Sequence, residues 1–301
     1  MSTTGRSASG ASDALAPETA TVAKALTQEV LQSFDHAPER LRTLMQSLVG
    51  HLHTFVLDND LTEAEWRYAI DFLTRAGHIT SDTRQEFILL SDTLGVSSLV
   101  DLLTNSRTPE STPSAVLGPF YVEGPPDLPD GTDISGGHLD GDPVLANITV
   151  NDLQGRPIPG AVVDVWQANQ DGFYDVQLPD LEGPVLRGRL RTDTHGHVSF
   201  WTILPAPYPI PDDGPVGQML AAAGRHPMRA PHIHFMIAAP EKHTLVTQLF
   251  VEGGDYLGSD TVFGVKEPLT VPFPVQDDPP ADGHAAHWRR LDFTFNLADQ
   301  T

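Results

Sequence analysis

The sequence predicts an α+β protein in which the two kinds of structure follow one another: a helical N-terminal part, then an antiparallel β-sandwich. Three observations carry this. Apolar residues recur at spacings of three and four up to about residue 105; they alternate in short runs thereafter; and between the two the composition turns to Pro, Gly and Asp.

Residues 1–17 are rich in Ser, Thr, Gly and Ala and read as a disordered tail. A helical domain is expected over 18–106. Leu44, Leu48, Leu52 and Phe55 lie on one helical face, and "LTEAEW" supplies a capping box between Thr62 and Glu65, ahead of an apolar stripe through Trp66, Ile70 and Leu73. Ser81 reads as the cap of a further helix with Phe87, Leu90, Leu94 and Leu99 on its apolar side and Gly95 as its break. The β domain is expected over 107–301. "ANITVND" and "GAVVDVWQA" are β-rich runs bounded by turn residues, and "VLRGRLRTDTHGHVSFWTIL" reads as a hairpin around Gly196. "TLVTQLFVEG" alternates, as does "RRLDFTFNL", which puts Leu291, Phe293, Phe295 and Leu297 on one face. No internal repeat is visible.

Composition narrows the function. Of 301 residues, 40 are acidic and 18 basic, for a formal charge of -22, and the pI is near 4.7. Such a field disfavours nucleic acid and anionic lipid surfaces as partners. With no cysteine, disulfides, iron–sulfur clusters and thiol catalysis are excluded. The N-terminal stretch has no apolar signal-peptide core and no window is long enough to span a bilayer, so a cytoplasmic location is expected; Asn147-Ile148-Thr149 is then a chance glycosylation tripeptide.

A metal site without cysteine must use His, Asp, Glu or Tyr. In "APHIHF", His232 and His234 share one face of an extended chain while Ile233 and Phe235 point the other way. Upstream, Tyr208 sits among the prolines of "LPAPYPIPDD", which stiffen it, and Tyr174 follows a strand in "DVWQANQDGFYD". Phenolate is a hard anionic donor that suits a trivalent ion such as Fe(III) better than zinc. The same residues also have ordinary readings, since a buried Tyr is commonly a core residue with a satisfied hydroxyl. His195 and His197 in "THGH" show the same spacing and read as turn and strand residues; His226, His243, His284 and His287 read as structural or solvated. The residues alone leave a zinc hydrolase and a non-enzymatic, transthyretin-like binding module open, the latter because "GRPIPGAVVDVW" resembles strands of that sandwich.

"DVWQANQDGFYD", "PAPYPIP" and "RAPHIHF", in that order, resemble the intradiol ring-cleaving dioxygenases, and the resemblance spans the chain from about residue 25. It implies a non-haem Fe(III), one per subunit, held by Tyr174, Tyr208, His232 and His234 with a water or hydroxide as fifth ligand. Tyr208 and His234 would be axial, and Tyr208 would leave when substrate binds. Arg229 would steady negative charge developing on the ring, with Gln248 behind it. The reaction implied is O2-dependent opening of an aromatic ring between two adjacent hydroxylated carbons, giving a cis,cis-muconate without an external reductant. "EFILLSDTLGVSSLV" and "AVLGPFYVEG" look most like the hydroxyquinol branch rather than the catechol one, with Leu89, Asp92, Val116, Leu117, Gly118 and Phe120 lining the ring pocket. Asp92 would accept a hydrogen bond from the third hydroxyl of benzene-1,2,4-triol. The resemblance also implies a homodimer through the helical domain, with phospholipid at that interface.

Overall fold

In the computed structural model, residues 16–81, 84–105, 108–136, 140–178, 181, 183–278 and 287–300 are described. The expected tail therefore lies outside the described residues up to position 15, while Pro17 already opens the first helix. The chain divides into two compact units, 1–72 and 73–301. The composition break at 106 follows the end of a helix at Asn105, and the first strand begins at Pro143.

In the first unit, α1 (Pro17–Gln32) packs on α2 (Glu39–Asp58), and α3 (Glu63–Ile79) begins there and runs on into the second. The capping box at the start of α3 is formed: the Thr62 backbone N–H donates to the Glu65 carboxylate at 2.9 Å and the Glu65 N–H to the Thr62 hydroxyl at 3.3 Å. Neither α1 nor α2 buries any residue, and Leu44, Leu48, Leu52 and Phe55 stay about half exposed.

In the second unit, Gly95 separates α4 (Glu86–Thr93) from α5 (Val96–Asn105), which bend 77° from one another. No single helix among the described residues is long and apolar enough to cross a membrane. Ser81 does not cap α4. Its hydroxyl accepts the Arg84 N–H in a turn, and α4 starts five residues later. The buried residues of α4 are Glu86, Leu89, Asp92 and Thr93, whereas Phe87 and Leu94 are exposed. Tertiary contact overrides the apolar pattern here. The buried Glu86 carboxylate accepts the Val216 N–H at 3.0 Å, at the start of α6 (Pro215–Ala222), and pairs with Arg84.

The strands are β1 (Pro143–Asp152), β2 (Val162–Gln167), β3 (Arg187–Arg191), β4 (His197–Ile203), β5 (Tyr208–Pro209), β6 (Met228–Arg229), β7 (His232–Ala238), β8 (Leu245–Val251), β9 (Thr270–Val271), β10 (Val275–Gln276) and β11 (Trp288–Leu297). One sheet has the order β10-β11-β1-β4, the other β3-β2-β7-β8-β9, and β5 and β6 form a small ribbon. The sandwich is mixed rather than purely antiparallel, because β1 runs parallel to β11 and β8 to β9. The hairpin expected around Gly196 does not form: β3 pairs with β2 and β4 with β1, so the turn at Gly196 carries the chain from one sheet to the other. Alternation places Ile148, Val150, Val163, Val165, Ile233, Phe235, Leu291 and Phe295 in the core between the sheets, where each contributes about 1.5–3 kcal/mol by burial.

Candidate metal centre

The outer face of the five-stranded sheet carries the site. While Ile233 and Phe235 enter the core, His232 and His234 face away from it, and the register sets Trp166, His234 and Gln248 abreast across β2, β7 and β8. Trp166 stacks on the His234 ring at 4.7 Å with an 11° interplanar angle. The β5–β6 ribbon pairs Tyr208 with Arg229, so the proline-stiffened segment delivers its phenol beside the arginine.

Tyr174 arrives on a turn closed by the Asn169 side chain, which accepts the Asp171 and Phe173 N–H groups at 3.0 and 2.9 Å. The Gln177 side chain accepts the Tyr174 N–H, and a buried ion pair between Arg187 and Asp175 anchors the next residue. Gly172 lets this turn approach: a Cβ there would lie 2.8 Å from the Tyr208 Cβ, at a φ of +83°.

Four donor atoms from three segments converge. The Tyr174 and Tyr208 hydroxyls are 3.1 Å apart, His234 Nε2 is 3.0 Å from the Tyr174 hydroxyl, and the two histidine Nε2 atoms are 3.0 Å apart. All four side chains are buried. His232 Nδ1 lies 2.7 Å from the Ala230 carbonyl, which assigns the ring proton to Nδ1 and leaves the Nε2 lone pair facing the cluster. His234 Nδ1 is buried without a partner. Burial, and then the Arg229 charge, pushes the His232 pKa well down; for His234 burial is followed by His232 and Arg229, so both imidazoles stay neutral. Burial foremost, then Tyr208, pushes Tyr174 well above the ordinary phenol range.

The residues fit a metal ion. Neighbouring ligands at about 2.0–2.1 Å from one cation stand about 3 Å apart, the spacing seen here. Two imidazoles and two phenols turn their lone pairs toward one another, and a bound cation would oppose the upward push that burial puts on Tyr174. Among the described residues no group of three or more His, Cys, Asp and Glu could hold a metal, so the zinc hydrolase reading lacks its third ligand.

Arg229, buried like the donors, sits against the cluster. Its Nη1 is 3.1 Å from His232 Nε2 and 3.5 Å from the Tyr208 hydroxyl, and its Nη2 donates to Gln248 Oε1 at 3.0 Å. Gln248 in turn donates to the Val116 carbonyl at 2.7 Å. Sequence reasoning missed Asp260, whose carboxylate accepts from Arg229 Nε at 3.2 Å and Nη2 at 3.3 Å. Burial opposes the Arg229 charge, but Tyr208 and Asp260 outweigh it and raise its pKa. Nothing around Asp260 in the chain signals this role; Trp166, also missed, was readable from its place in the "DVWQANQDGFYD" strand.

The other expected pocket residues divide. Phe120 stacks on Tyr174 at 4.4 Å, and a Cβ on Gly118, whose φ is +76°, would lie 3.3 Å from His234 Cε1. Val116 contributes its carbonyl. Leu89 and Asp92 are buried on α4; burial raises the Asp92 pKa, Ser97 and the Arg229 charge opposing it. Leu117 is 39% exposed. Of the remaining histidines, His195 and His226 serve turns and polar contacts, and His284 lies outside the described residues.

The model described as "Dioxygenase" matches residues 116–296, and that described as "Catechol dioxygenase N terminus" matches 38–112. The chain belongs to the dioxygenase family. It is 49% identical to a hydroxyquinol 1,2-dioxygenase of Nocardioides simplex over 89% of this chain and 90% of that one. It is 38% identical to a catechol 1,2-dioxygenase of Candida albicans, covering 93% and 94%. Among solved structures, a hydroxyquinol 1,2-dioxygenase from Pseudomonas putida superposes with a TM-score of 0.89 at 43% identity, over 93% of this dioxygenase and all of the other chain.

Proposed function

We propose that this dioxygenase opens the ring of hydroxyquinol (benzene-1,2,4-triol) between its adjacent hydroxylated carbons, both atoms of O2 entering the resulting hydroxy-cis,cis-muconate (maleylacetate). The observation carrying the proposal is the convergence of Tyr174, Tyr208, His232 and His234 within 3.0–3.1 Å contacts. This donor set suits one Fe(III) per subunit. Bound there, Fe(III) would supply Lewis acidity toward both oxygens of the diol, and two phenolates favour keeping it ferric.

The chain's own residues do the rest. Tyr208 is the donor expected to leave when substrate binds, its oxygen taking one diol proton. Arg229 Nη1, 3.5 Å from that oxygen, is placed to stabilise negative charge spreading into the ring. Asp260 and Gln248 hold the guanidinium so that Nη1 keeps this direction. Trp166, Phe120 and Phe250 keep water away from the donors. Asp92 would accept from the third hydroxyl, which a catechol lacks. The catalytic sandwich would occupy 107–301 and the helical domain 18–106. The exposed row through Leu44 and Phe55 supports a homodimer there, with phospholipid at the interface. An acidic chain without cysteine suits the cytoplasm.

The test combines iron analysis, visible absorption and specificity constants. Stoichiometric iron, a tyrosinate-to-iron band and a preference for hydroxyquinol over catechol and chlorocatechols are expected. A colourless zinc protein would sink the metal assignment, and a wide preference for catechol would sink the substrate.

A further inference from the structure

Arg225 lies outside the donor cluster and touches none of it, yet it joins two segments that do matter there. Its Nη1 donates to the Thr93 carbonyl at 2.7 Å, in the last turn of α4, and its Nη2 to the Thr261 carbonyl at 2.8 Å. The first is one of the carbonyls that a helix leaves unpaired at its C-terminus, where a cation is also favoured by the helix dipole. The second adjoins Asp260. The Asp260 carboxylate grips Arg229 and also accepts the Gly264 N–H at 2.8 Å, closing the 260–264 turn. The Phe263 ring lies 5.0 Å from the Arg225 guanidinium, at a left-handed φ of +57° that a bulky residue adopts only under constraint. Ser98 adds a parallel tie, its hydroxyl donating to the Val262 carbonyl at 2.9 Å. The α4–α5 corner and the 261–263 turn are thus bound together at two points, and the carbonyl that Arg225 holds belongs to Thr93, the residue next to Asp92 in the chain.

Resting on the substrate reading above, we infer that Arg225 is a positioning residue for substrate discrimination: it fixes the α4 wall, with Asp92, against the turn that orients Arg229. Without this clamp, α4 loses its C-terminal partner and Asp92 its set distance from the ring. Binding of a ring with a third hydroxyl should suffer most. A ring without that hydroxyl makes no contact with Asp92 and should suffer less.

The test is anaerobic titration of the iron-loaded protein, following the visible band, with hydroxyquinol and with catechol, for Arg225→Gln, Arg225→Lys and Ser98→Ala. Arg225→Gln should weaken hydroxyquinol binding about tenfold, the scale of one charge-assisted hydrogen bond. Catechol binding should change markedly less, and iron content and the resting band should stay as in the parent. Arg225→Lys should recover part of the loss, and it is the variant read if Arg225→Gln does not fold; Ser98→Ala should shift hydroxyquinol binding in the same direction by less. Equal changes for both diols, no change for either, or loss of the resting band would overturn the inference. A parent protein lacking the band, or preferring catechol, would instead overturn the reading on which it rests.

Discussion

The His-x-His spacing occurs three times in this chain, at 51/53, 195/197 and 232/234, and the two copies on the strand side of the sequence end in different chemistry. His195 and His197 flank Gly196 in the turn between the sheets, where His195 is exposed. That turn uses their backbones: the Asp193 carboxylate accepts both N–H groups, at 2.8 and 2.9 Å. His232 and His234 lie on β7, which has β2 on one side and β8 on the other, and both are 1% exposed. Spacing places two side chains on one face. Whether the face becomes a site depends on what the neighbouring strands and the loops above it bring there.

Substitution at each pair gives the largest contrast. His234→Ala should abolish metal content and the visible band, and lower kcat/KM beyond the roughly 10–100-fold that follows loss of a ligand's supporting partner. His197→Ala should leave both within about twofold, as for an ordinary surface change. Metal analysis with steady-state kinetics decides; comparable losses in the two variants would erase the distinction.

A smaller effect is expected one strand across. Gln248→Leu removes the acceptor for Arg229 and the donor for the Val116 carbonyl, leaving buried polar groups unpaired. It should destabilise by about 1–3 kcal/mol and lower kcat/KM about 10–100-fold with metal retained. Denaturant titration and kinetics on the metal-loaded protein would check this, and unchanged turnover would remove Gln248 from the machinery.

Gly118→Ala probes the covering segment. Its Cβ would press on the His234 ring from a left-handed backbone, costing about 1–2 kcal/mol in conformation alone. A lower denaturation midpoint and a displaced visible band are expected, and wild-type values for both would show that the segment yields freely.

The smallest effect belongs to the Asp193 turn. The backbone N–H groups of His197 and His195 hold its carboxyl below the ordinary range. A depressed folded pKa gives stability that is complete above the unfolded value of about 3.9 and lost as pH falls through the folded one. Asp193→Ala should therefore lower the melting temperature slightly at pH 7, and the gap should close on acidification. A gap that widened in acid would contradict the turn's electrostatics.

Much of the scaffold was legible. The alternation in "RRLDFTFNL" and the capping box at Thr62 are local patterns, and local geometry honours them. Strand partners were not legible, because alternation marks a buried face without naming the neighbour; hence β3 and β4 were mistaken for a hairpin and the β1–β11 parallel pairing went unseen. On α4 the apolar stripe misled, since Glu86 is buried against Val216, far along the chain, and Asp92 is buried beside Ser97 and within the field of Arg229.

By itself the sequence determined the donor types, the absence of thiols, the shared face of His232 and His234 and the stiff setting of Tyr208, all consequences of side-chain chemistry and backbone period. Only the tertiary structure decided that two tyrosines, two histidines and Arg229 meet, that Asp260 holds the arginine, and that Arg225 ties α4 to the Asp260 turn. Those depend on distances between segments up to more than a hundred residues apart, and no local period records such a distance.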